Sequence, residues 1–134
     1  MTAIDSSVAI AAFATWHESH EAAREAISGG PRLIAHVALE TYAVLTRLPA
    51  PHRAPAELVV RFLERNFDKR WLALSPAKHQ ALLASLTQSG IVGGATYDAL
   101  VASTAAARGE TLLTLDRRAI RVYEAMGAEV RVLA

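Results

Sequence analysis

The sequence predicts an α/β protein: a three-layer α/β/α sandwich around a short-stranded, mainly parallel sheet. Three observations carry the prediction. Short apolar runs alternate with helical patterns along the whole chain, as parallel strands joined by helical crossovers require. The runs are only three to five residues long, which suits a small sheet covered on both faces. Hydrophobic residues make up 52% of the 134 positions and charged residues 20%, a balance that supports a packed core and excludes a disordered chain. A chain of this length buries about two-thirds of its unfolded surface as a single domain, 1–134.

Each element follows from its own residues. "TAID" (2–5) is an apolar run ending on Asp5, and "SSVAIAAF" (6–13) continues as a helix with Ser6 or Ser7 near its cap. "HESHEAAREAISGG" (17–30) is a second helix that stops at Gly29-Gly30. "PRLIA" (31–35) is a strand. "HVALETYAVLTRL" (36–48) carries Val37, Tyr42, Val44, Leu45 and Leu48 at helical spacing. The proline-rich "PAPHRAP" (49–55) breaks that helix. "AELVVRFLERNF" (56–67) resumes it, with a stripe of Leu58, Phe62, Leu63 and Phe67. "WLALS" (71–75) is a third strand, and Pro76 opens the helix "PAKHQALLASLTQSG" at a favourable first position. "IVGG" (91–94) is a loop before the helix "ATYDALVASTAAARG", closed by Gly109. The strand "TLLTL" (111–115), a helix from about Arg118 to Met126 and the strand "EVRVL" (129–133) complete the order. No repeat or low-complexity tract interrupts it.

Composition narrows the function classes. No apolar stretch reaches the roughly 20 residues of a bilayer span, and "MTAIDSSVAIAAF" lacks the basic start of a secretory signal. With no cysteine, disulfides and thiolate metal sites are excluded. A cytoplasmic location is therefore expected. A net charge of +1 gives no global attraction to nucleic acid, so any such binding rests on local clusters. The only lysines are Lys69 and Lys78, and the only aspartates Asp5, Asp68, Asp98 and Asp116.

Placement of the aspartates carries the chemistry. Asp5 and Asp116 end strands and precede helices, so each can serve as an N-cap. Asp98 lies in the first turn of its helix, where a carboxylate favours the dipole. Glu40 sits early in a helix among Ala38, Leu39, Tyr42 and Ala43, where it must face solvent, find a partner or hold a ligand. In a right-handed parallel layer, strand carboxyl ends and helix amino ends share one edge. All four acids fall on that edge, with no lysine placed to neutralise them. A divalent cation would do so, and oxygen-only ligands suit Mg²⁺ or Mn²⁺. Such a centre can activate water and stabilise charge on a phosphoryl group.

"IDSSV", "ALETYAVL", "TYDALVASTAAARG" and "LLTLDRRA", in this order, resemble the PIN-domain ribonucleases, and more narrowly the VapC-type toxins of bacterial toxin–antitoxin pairs. The likeness spans essentially the whole chain. It implies a PIN-like sandwich and a metal-dependent endoribonuclease that hydrolyses RNA phosphodiesters with a metal-activated water. It implies that Asp5, Glu40, Asp98 and Asp116 are the catalytic, metal-holding residues, with Ser7 and Thr114 as supporting groups. It also implies a VapB-like antitoxin partner and a homodimer. Many PIN domains carry a further acid after the last aspartate, whereas Arg117, Arg118 and Ala119 follow here, which bears on a second metal position. Arg117, Arg118 and Arg121 can contact RNA phosphate or an acidic antitoxin segment.

Other features yield plainer readings. "GIVGG" (90–94) lacks the Lys-Ser/Thr of a P-loop and the spacing of a dinucleotide fingerprint. His17, His20, His36, His52 and His79 show no ligand spacing shared with the acids and read as surface residues; Trp16, Phe62 and Phe67 read as core or interface. A receiver domain would need a strand-end lysine, and an aspartate-nucleophile phosphatase a second aspartate where Ser7 stands. The remaining rival is a non-catalytic module of the same fold that binds RNA or protein.

Overall fold

The structure, a computed structural model, describes residues 1–133. Its sheet has four parallel strands: β1 (Thr2–Ile4), β2 (Arg32–Leu33), β3 (Thr111–Thr114) and β4 (Val130–Val132), in the order β2-β1-β3-β4. Ile4 is registered between Leu33 on one side and Leu113 on the other. The helices are α1 (Ser6–Phe13), α2 (His20–Ser28), α3 (Ala35–Arg47), α4 (Ala56–Asn66), α5 (Pro76–Leu86), α6 (Ala95–Ala107) and α7 (Ile120–Ala125). A 3₁₀ turn, Arg117–Ala119, precedes α7.

From β1 the chain crosses to β2 in one direction, and from β3 it crosses to β4 in the other. Right-handed crossovers of opposite direction place their helices on opposite faces, so α1 and α2 cover one side of the sheet and α7 the other. This three-layer arrangement matches the predicted fold. The buried core runs through Ile4, Leu33, Leu112, Val8, Val37 and Val59, which lose essentially all their exposure; at about 25 cal/mol per Å², that apolar burial is the main force holding the layers together. Among the described residues, no helix is long and apolar enough to cross a membrane.

Two local expectations are corrected. "WLALS" is not a strand: it makes one isolated bridge, Leu72 to Ile34, held by Leu72 N–H to the Leu33 carbonyl and Ala35 N–H to the Leu72 carbonyl. Its neighbour β2 is itself only two residues long, and Pro76 starts α5 too soon for a ladder to grow. In α4 the stripe is shifted, with Val59 and Leu63 buried and Leu58 exposed. Trp16 is exposed and packs its ring on His52 at a centroid distance of 4.2 Å, whereas Phe67 is buried and Phe62 packs against the same core.

The switch point of this topology lies between β1 and β3, whose connections leave in opposite directions. Open α/β sheets form their binding crevice beyond the strand carboxyl ends at such a point. Asp5 follows β1 there, and Asp116 follows β3.

A candidate active site at the carboxyl edge of the sheet

Asp5 is the deepest of the acids, only 3% exposed. It caps α1, accepting a hydrogen bond from the Val8 amide at 3.3 Å; the cap is thus Asp5, with Ser6 and Ser7 already inside the helix. The Ser7 hydroxyl donates to Asp5 Oδ1 at 2.5 Å and accepts from the Leu115 amide at 2.8 Å. The Thr114 hydroxyl donates to Asp5 Oδ2 at 2.5 Å and accepts from the Asp116 amide at 2.9 Å. Each hydroxyl therefore relays a backbone N–H at the end of β3 to the carboxylate at the end of β1. Tyr123 completes the set from α7, its hydroxyl donating to Asp5 Oδ2 at 2.8 Å. Oδ1 thus accepts from Ser7 and Val8, and Oδ2 from Thr114 and Tyr123.

These bonds stabilise the charged form of Asp5, but burial outweighs them and pushes its carboxyl above the usual range. The Tyr123 phenol is raised too, first by its own burial and then by the charge of Asp5. It stays a donor at every working pH.

The other acids lie on the rim. Asp98 is in the first turn of α6, partly open to solvent. Its carboxyl is raised to about 6, by desolvation first and then by the negative charges of Glu40, Asp116 and Asp5. His36 acts in the opposite sense. Glu40, 34% exposed at its side chain, lies one turn along α3 from His36, with Oε2 4.0 Å from His36 Nε2. The His36 ring stacks on Tyr97, which precedes Asp98 on α6. Asp116 caps the 3₁₀ turn through the Arg118 amide at 3.0 Å. The Arg118 guanidinium lies 3.7 Å from Asp116 with its own side chain 96% exposed, an ion pair of small worth. Arg117 and Arg121 are exposed on the same turn and helix. Ser7, His17, Ser19, Asp116 and Arg118 line an open depression at this edge.

Sequence reasoning overlooked two members of this arrangement. His36 is set beside an acid after all, and its signal was the i,i+4 spacing to Glu40 on one helix face. Tyr123 gave no signal, because only the fold brings it across 118 positions to Asp5.

The donor set suits a hard divalent cation: carboxylate oxygens only, from four separate segments, whose charges add to the desolvation that raises the carboxyl of Asp98. The acids are drawn toward one another without touching. Among the described residues, no three histidine or acidic side chains are close enough to form a ready-made cage.

A family model described as the PIN domain matches residues 2–125. The chain is 49% identical to Ribonuclease VapC40 of Mycobacterium tuberculosis (strain H37Rv) over 133 residues, covering 99% of each. It is 41% identical to Ribonuclease VapC27 of the same strain over 138 residues, covering 98% of this chain and 96% of that one. Among solved structures, VapBC2 from Rickettsia felis bound to a DNA fragment from their promoter matches with a TM-score of 0.69 at 15% identity, covering 99% of this chain and 98% of that one. At that identity the likeness speaks for the fold.

Proposed function

The chain belongs to the PIN-domain family, and from that premise we propose that it is a metal-dependent endoribonuclease, the toxin of a toxin–antitoxin pair. The observation that carries the reading is the placement of Asp5, Glu40, Asp98 and Asp116 about the switch point, with the Asp98 carboxyl raised by desolvation first and then by the charges of the other three. The full-length likeness to two proteins named ribonucleases supports the reaction class.

In this reading the four carboxylates would hold Mg²⁺ or Mn²⁺. When bound, such a cation supplies Lewis-acid polarisation of the scissile phosphate and of an attacking water. The chain's own residues do the rest. Ser7, Thr114 and Tyr123 fix the Asp5 carboxylate in one orientation, so that ordering it costs nothing during the reaction. Asp98, whose carboxyl is near 6 in the metal-free chain, must give up its proton to take the cation, so loading is favoured above that pH. The substrate is RNA, the partner a VapB-like antitoxin, and the working form a homodimer of a single PIN-like domain, 1–134, in the cytoplasm. Arg117, Arg118 and Arg121 contact RNA phosphates or an acidic segment of the antitoxin.

Purified, antitoxin-free protein incubated with a mixed tRNA and rRNA pool tests this. Discrete fragments are expected in Mg²⁺ or Mn²⁺ and none in EDTA, with Asp98→Asn inactive in either metal. Fragments that persist in EDTA, or a fully active Asp98→Asn, would refute the metal-centred reading.

A further inference from the structure

At the lip of the acidic cleft, His36 and Tyr97 lie ring on ring. Their planes are 5° apart and their centroids 5.2 Å apart, an offset parallel stack of the kind aromatic quadrupoles favour. The pair ties together the two helices that carry the rim acids. His36 is one turn from Glu40 on α3, and Tyr97 is next to Asp98 on α6. Tyr97 nevertheless remains 54% exposed, so much of the residue stays open to solvent beside the apolar groove that it lines with Leu83 and Leu100.

We propose that the His36–Tyr97 stack is a base-stacking platform at the mouth of the cleft, taking one unpaired nucleobase of the substrate on the open face of Tyr97. The inference rests on the ribonuclease reading and names a contact of that same site. Its physical ground is a charge problem. The acids act on one another across this edge, and Asp116 lines the depression with only the solvent-exposed Arg118 beside it, so the acidic side of the site repels a phosphate backbone until it is neutralised. An aromatic face attracts bases without regard to that charge. Single-stranded RNA offers such bases, whereas a duplex keeps them stacked inside. His36 backs the tyrosine from below and fixes its plane, which lowers the entropy lost when a base settles on it. Stacking discriminates little between bases, so the platform sets where a strand lies while leaving sequence choice to other contacts.

The test measures binding without chemistry. A fluorescent single-stranded RNA pool and an abasic ribose-phosphate oligomer of equal length are titrated in EDTA with wild-type protein, Tyr97→Ala, Tyr97→Phe and Tyr97→Trp. Tyr97→Ala is expected to weaken RNA binding by roughly 5- to 100-fold, while Tyr97→Phe and Tyr97→Trp retain it and the abasic oligomer binds all four proteins alike. In cleavage assays the same alanine variant should raise KM and leave kcat near wild type. Equal RNA affinity for wild type and Tyr97→Ala would overturn the platform, as would a shift from dimer to monomer on sedimentation of Tyr97→Ala, which would make this face a subunit contact. Metal-dependent cleavage that survives either outcome leaves the nuclease reading standing; wild-type protein that neither binds nor cuts RNA removes both.

Discussion

Asp5 and Asp98 belong to one cleft and live in opposite surroundings. Asp5 is sealed in and oriented by its own donors: Ser7 and the Val8 amide bond one oxygen, Thr114 and Tyr123 the other. Asp98 stands half open with Glu40, Asp116 and Asp5 for electrostatic company, and only His36 opposes them. The fold has thus satisfied one acid from its own hydroxyls and left the others in mutual repulsion. In the proposed reading Asp5 is the anchor, and the carboxylates left without such donors are the ones a cation would neutralise. The two should therefore respond with opposite signs to replacement by asparagine, because an amide mismatches the donors packed around Asp5 and meets no such set at Asp98.

Asp5→Asn gives the largest effect. The new amide turns N–H groups toward hydroxyls that are committed to donating, and stability should fall by about 2 kcal/mol as buried bonds to a charged acceptor are lost. Urea unfolding without metal checks it. An unchanged midpoint would mean that the network around Asp5 carries little energy.

Asp98→Asn should do the reverse at neutral pH, raising metal-free stability by about 1 kcal/mol once solvent screening of this partly open group is allowed for, while cutting cleavage by at least about 100-fold. The pH dependence follows from the direction of the shift. The carboxyl sits near 6 when folded and 3.8 in its reference state, so between those values the folded chain binds the proton more tightly. Its penalty on stability is full above about pH 7 and vanishes below about pH 4. The advantage of Asp98→Asn over wild type should shrink over the same range; a difference that is flat with pH would contradict the repulsion.

Tyr123→Phe removes one of the donors to Asp5 and keeps the ring. It should cost about 1 kcal/mol of stability and weaken Mn²⁺ binding about tenfold, as losing a residue that orients a ligand does. Calorimetric Mn²⁺ titration of the variant decides whether the phenol orients the anchor or merely fills space. Arg118→Ala, last, should change stability by less than about 0.5 kcal/mol, since its pair with Asp116 is in open water. A larger loss on unfolding would place that arginine inside the acidic network.

Much of the layout was legible before any coordinates. Apolar runs that end on a carboxylate marked the ends of β1 and β3, and parallel topology alone forces such ends to one edge. What escaped depended on phase and distance. "WLALS" alternates like a strand, yet only Leu72 reaches a partner, because β2 offers two residues and Pro76 ends the run. Leu58 and Val59 are adjacent apolar residues, and helical spacing cannot say which of two neighbours faces inward until α4 is docked; Val59 does. Glu40 read as an anomaly on an apolar helix, and its partial exposure beside His36 explains how it is tolerated. Tyr123 gave no signal at all, because a hydrogen bond across most of the chain leaves no trace in local pattern.

The central claim is that the rim carboxylates are held apart until a cation joins them. The most direct measurement is calorimetric titration of Mn²⁺ into the folded protein at pH 7.5 and pH 5.0, beside Asp98→Asn. Saturable binding at pH 7.5 that weakens at pH 5.0, as Asp98 takes up its proton, and that is largely lost in the variant is the predicted result. Binding that ignores both the pH and the substitution, or no binding by folded wild-type protein, would contradict it.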